Sequence, residues 1–274
     1  MNENDSEPFY DRHWSHADTA ADPEIVAKGD LVLRLAPEGV RTVADIGCGD
    51  GYLTHRLAER FDVVAIDRSA VALRRVRVRA IQASADALPL PDRSVDMVFS
   101  SELLEHLPNA LLAGAAAEFA RVADRHLLLS VPHRETLRRR FVRCPRCRLE
   151  FHLDGHLQSF GPEALDRLFP GFERITTELA GPPEPPTHAP IEWLRQRACR
   201  HWFFWDGAQV TCPRCGETRF KKLKRGALRS AAERALDRVS ARWSAWSGRG
   251  ELPYWLIALY RRRPPSTPPV VLAT

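Results

Sequence analysis

Short apolar runs and amphipathic stretches alternate along most of the chain. Val43, Ala44 and Ile46 form a run short enough for a buried parallel strand, Gly47, Gly49 and Gly51 break it, and Leu53, Leu57 and Ala58 repeat at helical spacing through residue 60. The same alternation predicts strands at 63–66, 81–83, 94–101 and 125–131, with helices at 69–80 and 108–123. In the second of these helices Leu111, Ala115, Phe119 and Val122 share a face. A helix at 161–169 and a strand at 172–179 follow. Tyr254 to Tyr260 is one continuous apolar run, suited to a final antiparallel strand. At the front, Asp22 before Pro23 is a helix start, an N-cap followed by proline at the first helical position, and its apolar residues run to Leu35. Seven strands alternating with helices predict an α/β, Rossmann-like sheet covered by helices on both faces.

Two stretches interrupt that rhythm. One lies at 136–158. The other, at 181–250, opens on a proline-rich link, passes through the aromatic patch Trp202 to Trp205, and ends in a helix whose apolar stripe is Leu228, Ala232, Ala235, Val239, Trp243 and Trp246. The expected segments are thus a flexible start at 1–21, a cofactor-binding core at 22–135, insertions at 136–158 and 181–250, a core helix and strand at 159–180, a last strand at 251–262, and a disordered proline-rich tail at 263–274.

Composition narrows the class. The 274 residues are 44% hydrophobic, which supports a substantial core. The net charge of +5 permits an anionic partner without demanding one. No apolar run is long enough to span a bilayer, and the acidic N-terminus is unlike a signal peptide, so the expected location is the cytoplasm.

Candidate chemistry begins at the glycines. A strand, a glycine turn and a helix make a nucleotide cradle, in which the backbone approaches its ligand closely. The spacing here is G-x-G-x-G after Asp45, not the G-x-G-x-x-G of a pyrophosphate site, and a carboxylate at that strand end suits a cationic amino group. Asp67 ends the second strand 20 positions after Gly47, where a nucleotide fold hydrogen-bonds both ribose hydroxyls. The run Asp45-Ile46-Gly47-Cys48-Gly49-Asp50-Gly51 closely resembles motif I of class I S-adenosylmethionine-dependent methyltransferases. Asp96 to Leu107, D-x-V-x-x-x-x-x-L-E-H-L, resembles the branch (methyltransferase types 11 and 12) that includes many small-molecule O-, C- and N-methyltransferases. The Asn/Asp-Pro-Pro-Tyr signature of base and glutamine methylation is absent after the fourth strand.

The resemblance implies that Asp45, Gly47, Gly49 and Gly51 carry the methionine part of S-adenosylmethionine, that Asp67 takes the ribose, and that Asp86 receives the adenine amino group. It also implies a leading segment that covers the cofactor; the other reading of that segment is an extra helix packed on the sheet edge with loosely held aromatics. His106 reads either as a general base or cleft-lining residue, or as a helix-start histidine satisfied by backbone. His133 is a minor candidate at a strand's carboxyl end.

Cys144, Cys147, Cys212 and Cys215 fall in two C-P-R-C pairs, each resembling one arm of a zinc ribbon. Two C-x-x-C knuckles complete a tetrahedral Cys₄ zinc site, whereas one pair alone could be a redox couple. The 64 residues between them are too many for one compact ribbon, so the expectation is a structural zinc that staples both insertions over the ligand edge. The function expected is methyl transfer from S-adenosylmethionine to a small-molecule acceptor. Two alternatives remain open: an RNA methyltransferase using the knuckles and the basic stretch Arg219 to Arg225, and a non-catalytic zinc-dependent scaffold.

Overall fold

The seven expected strands pair into one sheet in the computed structural model, which describes residue 14 and residues 23–198, 202, 210–220, 227–248 and 250–264. They are β1 (Thr42–Ile46), β2 (Asp62–Asp67), β3 (Arg79–Gln82), β4 (Val95–Ser101), β5 (Ala123–Pro132), β8 (Phe172–Glu184) and β9 (Leu252–Arg262). A separate hairpin, β6 (Phe141–Arg143) with β7 (Glu150–His152), belongs to the first insertion. The sheet order is β3-β2-β1-β4-β5-β9-β8, with β1 to β5 parallel and β9 antiparallel to both neighbours. The order reverses direction between β1 and β4, which opens a crevice at their carboxyl ends.

Period-two alternation divides the core. Ala44, Ile46, Leu127, Leu129, Leu256, Ala258 and Tyr260 pack on one face with Leu112, Ala115, Phe119 and Phe169. Val43, Leu128, Ile257 and Leu259 pack on the other with Val32 and Leu57. The helices supplying those residues are α1 (Pro23–Leu35) and α2 (Tyr52–Ala58) on one side and α4 (Asn109–Val122) on the other, with α5 (Pro162–Leu168) beside Phe169. Asp96 ties the strand starts together: its carboxylate accepts from the Arg41 and Thr42 backbone N–H groups at 2.7 and 3.0 Å and from Arg125 at 2.8 Å.

Four elements differ from the sequence expectation. The helix predicted over 69–80 is only α3 (Ala70–Leu73), because Val76-Arg77-Val78-Arg79 alternates at period two and feeds β3 instead. β8 runs past Leu179 to Glu184, into the proline-rich link. As an edge strand it can carry Pro182 and Pro183, where missing donors face no partner, and its register shifts between Ala180 and Pro183. A helix unforeseen in the sequence, α6 (Ala189–Ala198), fills part of the second insertion. It packs with α7 (Ala227–Ser247), whose expected stripe does not face inward: Leu228 and Trp246 are 89% and 85% exposed, while Glu233 and Ser244 are buried. Polar contacts join the two, Arg195 to Asp237 at 2.8 Å and Ser244 to His188 at 3.0 Å.

The expected flexible start and disordered tail lie outside the described residues, apart from Trp14, Arg263 and Pro264. So do Cys199, Phe203, Phe204, Trp205 and residues 221–225 of the basic stretch.

Candidate active site

The crevice at the β1/β4 reversal is lined first by the glycine loop. Gly47, Gly49 and Gly51 all have positive φ, 75°, 55° and 81°. No side chain would fit at two of them: a Cβ on Gly47 would stand 2.8 Å from Leu103, and one on Gly49 would stand 2.4 Å from the Trp14 ring. Left-handed backbone and close neighbours together require glycine there. The loop is pinned from behind by the N–H groups of Gly47 and Cys48, which donate to the Ile66 carbonyl at 2.8 and 3.2 Å. Cys48 is half-buried within it, and the desolvation there pushes its thiol up.

Asp45 is buried, and its Oδ2 accepts the Thr54 hydroxyl at 2.6 Å. Burial, together with the nearby Asp67 and against the Thr54 hydrogen bond, raises its carboxyl to about 7. Asp67 stands across the loop. Its two oxygens accept the backbone N–H groups of Gly49 at 2.9 Å and Ser69 at 2.8 Å, and burial raises its pKa. A carboxylate offers about four lone-pair positions, so Asp67 keeps capacity for ligand hydroxyls. Asp86 accepts from Ser84 and is backed by α4 where Gly114 leaves room; a Cβ there would come within 2.8 Å of Asp86. Arg121 and Glu118 hold that loop in place: Arg121 donates to the carbonyls of Leu88 and Leu90, and Glu118 accepts the Leu88 N–H at 2.8 Å.

His106 ends a short 3-10 turn, Leu104–His106, and meets the His156 ring edge to face with centroids 4.8 Å apart. His133 follows β5. Its backbone N–H donates to Tyr254 at 2.7 Å, while its ring Nδ1 is buried without a hydrogen-bond partner among the described residues. Burial, with Arg134 adding to the effect, lowers its pKa and keeps the imidazole neutral near neutral pH.

Several polar groups at this edge were not singled out in the sequence. Glu102 follows β4 at φ 53°, a left-handed backbone that a glutamate rarely adopts. It pairs at 2.9 Å with Lys28, a fully buried lysine whose ammonium also lies 4.5 Å from the Trp255 ring centre. Glu105 is wholly buried, and Glu135 is clasped by His152 at 3.1 Å and His156 at 2.6 Å. The H-x₃-H spacing of the histidines was a readable signal; the turn that brings Glu105 to them was not.

The four cysteines converge although 64 residues separate the pairs. Cys144 Sγ lies 3.6 Å from Cys215 Sγ, and Cys147 Sγ lies 3.5 Å from Cys212 Sγ. A tetrahedral ion with Zn–S bonds of ~2.3 Å places its sulfurs about 3.8 Å apart, so this donor set fits zinc and is too wide for a disulfide. The two knuckles repeat one backbone design. Cys144 N–H donates to Leu149 and Cys212 N–H to Glu217, while Arg148 and Gly216 return to the first cysteine's carbonyl with φ of 64° and 69°. Val142, Phe151 and Val210 pack around them. Phe220, within the basic stretch that the RNA alternative invokes, packs against Phe151 with ring centres 6.1 Å apart.

Residues 43–125 match the family model of a methyltransferase domain. A probable S-adenosylmethionine-dependent methyltransferase of Mycobacterium tuberculosis is 40% identical over 112 residues, 38% of this chain and 40% of the relative. A malonyl-[acyl-carrier protein] O-methyltransferase of Halorhodospira halophila is 41% identical over 97 residues, 30% of this chain and 33% of the relative. The chain thus spans well under half the length of the curated relatives it matches. Among solved structures, a SAM-dependent methyltransferase from Archaeoglobus fulgidus shares the fold at a TM-score of 0.53 and 14% identity, covering 86% of this chain and 94% of the other. A chain in the complex of the Haloferax volcanii Trm112 methyltransferase activator with a methyltransferase does so at 0.56 and 14%, covering 94% and 98%. No helix among the described residues is long and apolar enough to cross a membrane.

Proposed function

We propose that this chain, a class I methyltransferase by its sheet and by the methyltransferase domain at residues 43–125, transfers a methyl group from S-adenosylmethionine to a small-molecule acceptor. The observation that carries the reading is the glycine loop set beside Asp67 at the β1/β4 reversal, a close-approach backbone with a carboxylate able to take two hydroxyls. The cofactor would supply the activated methyl group. Gly47, Gly49 and Gly51 would line its amino-acid end with Asp45 behind them, Asp67 would hold the ribose, and Asp86 would accept from the adenine amino group. Trp14, packed on Gly49, would close the loop from the N-terminal side.

The chain's remaining work is to orient the acceptor and, for a hydroxyl or protonated amine, to take its proton. His106 and His133 are the candidates. His133 suits the role because its imidazole is neutral with an unpartnered Nδ1. The four cysteines would hold a structural zinc that joins the two insertions beside this edge. The H. halophila relative, named for O-methylation of a malonyl group on an acyl-carrier protein, is in line with a small acceptor group; the O-, N- or C-nature of the nucleophile is left open.

Calorimetry tests the reading directly. Saturable one-to-one binding of S-adenosylmethionine and S-adenosylhomocysteine is expected, and a purified, folded chain that takes up neither would overturn it. Once an acceptor is in hand, His133→Ala should lower kcat by about 10²-fold with cofactor affinity unchanged.

A further inference from the structure

The turn after β4 holds a carboxylate that the surrounding fold leaves unanswered. Glu105 is 0% exposed, and neither Oε1 nor Oε2 has a hydrogen-bond partner among the described residues. An ionised carboxylate in that position is costly unless a cation answers it. The nearby cation is already engaged, since Lys28 pairs with Glu102.

What Glu105 faces is imidazole. Glu105, His106 and His156 each present one ligand atom, all within 4.8 Å of one another. The backbone fixes this meeting, because the Leu157 and Gln158 N–H groups both donate to the Glu105 carbonyl at 2.7 and 3.0 Å. Gln158 also reaches the Leu107 carbonyl and Asn109. The 104–109 turn and the 156–158 segment are therefore stitched together on both sides of the cluster.

We propose that Glu105, His106 and His156 form a divalent transition-metal site, with Glu135 as the carboxylate that orients His156. One carboxylate and two imidazoles are a donor set for Zn²⁺, Mn²⁺ or Fe²⁺ that leaves coordination positions open. Ligand atoms of one such ion stand about 3 to 4 Å apart, so small side-chain rotations close the set on it. His156 is already oriented for ligation, because its Nδ1 is held by Glu135 Oε2 at 2.6 Å, which leaves Nε2 as the lone-pair nitrogen. Glu135, His152 and His156 also lie within 4.8 Å of one another, but those groups satisfy each other. His152 is further engaged through Nδ1 by the Asp154 N–H at 3.1 Å. That second set is the buttress, and the orphaned Glu105 marks the site.

The position gives the ion a use. Leu103, one residue before the turn, packs on Gly47 of the glycine loop, so the cluster lies beside the cradle. An acceptor with a hydroxyl or carboxylate oxygen could enter the open positions and lose its proton more readily there. That use rests on the methyl-transfer reading; the metal site does not. In this assignment His106 is a ligand, and His133 remains the base.

The test is metal content measured without cofactor. The purified full chain is incubated with excess Mn²⁺ or, separately, Zn²⁺, freed of unbound ion, and analysed by element, alongside Glu105→Gln and His156→Ala. Wild type should retain one equivalent beyond the cysteine-bound zinc. Both variants should lose that equivalent, with affinity down at least about 100-fold, and Glu135→Gln should weaken it by ~10- to 100-fold. Glu105→Gln is isosteric and removes a buried charge, so a melting curve like that of wild type is expected and keeps its metal result interpretable. A wild type with only the cysteine-bound equivalent, or variants with wild-type content, would overturn the site. A chain that binds S-adenosylmethionine yet takes up no second metal would refute this site alone.

Discussion

The glycine cradle and the cysteine-stapled cap each hold their chemistry in place, by opposite means. The cradle is local. Gly47, Gly49 and Gly51 lie within five residues, their positive φ values set the loop, and the sheet behind it has cores on both faces. The cap is assembled across distance. Cys144 and Cys215 meet over a separation of 71 residues, around a small cluster of Val142, Phe151 and Val210. A site built on a large core keeps its geometry empty, whereas a site with few apolar contacts depends on its ligand for stability.

Removing the zinc proposed for the four cysteines should separate the two regions most sharply. Structural zinc contributes on the order of 10 kcal/mol or more in small modules. Chelation followed by hydrogen exchange should strip protection from 141–152 and 210–217 while β1, β4 and β5 keep theirs. Equal protection before and after would mean that packing around Phe151 and Val210 holds the cap unaided, and the contrast would fail.

Next in size is a cost carried by the cradle itself. Asp45 has its carboxyl raised to about 7 by burial, so the folded chain favours the neutral acid. Below about pH 4 both folded and unfolded chains are protonated and the group contributes nothing. As pH rises toward 7 the unfolded chain ionises while the fold retains the proton, and stability falls; above about 7 the loss levels off. Asp45→Asn keeps an acceptor for Thr54 and removes the titration. Between pH 5 and 8 the variant should gain roughly 3 kcal/mol on wild type in urea unfolding. Parallel pH profiles would show that Asp45 is hydrated rather than buried.

Asp67→Ala tests the cradle as a binding site rather than as a stability problem. Loss of charge-assisted bonds to both ribose hydroxyls should weaken S-adenosylmethionine by about 2 to 3 kcal/mol in calorimetry. Unaltered affinity would take the ribose away from Asp67.

The same contrast explains what could be read in advance. The five parallel strands and the glycine loop were legible because period, glycine spacing and strand-end acids are local signals, as at Asp45 and Asp67. The cysteine pairs were legible as chemistry, and their meeting followed from where β5 and β8 end. What could not be read depends on tertiary context. α6 buries Glu192 and Gln196 and leaves Trp193 46% exposed, reversing the usual amphipathic cue. The stripe of α7 misled in the same way. Glu105 gave no signal because its neighbour His156 arrives from 51 residues away, and Glu102 is defined by a backbone angle that no residue type announces.

The smallest effect asks whether the cap has its own local signal. The two knuckles carry the same backbone hydrogen bonds, yet the left-handed position after the second cysteine is Gly216 in one and Arg148 in the other. An L-residue with a side chain pays about 1 to 2 kcal/mol at such an angle, partly offset because glycine frees the unfolded chain. Arg148→Gly should therefore stabilise the cap by about 0.5 to 1 kcal/mol, read as slower zinc loss to a chelator and later cap unfolding, with the sheet unaffected. Faster zinc loss would mean that the Arg148 side chain contributes more to the first knuckle than its backbone angle costs. The arms would then be held by different means despite their matching C-P-R-C sequence.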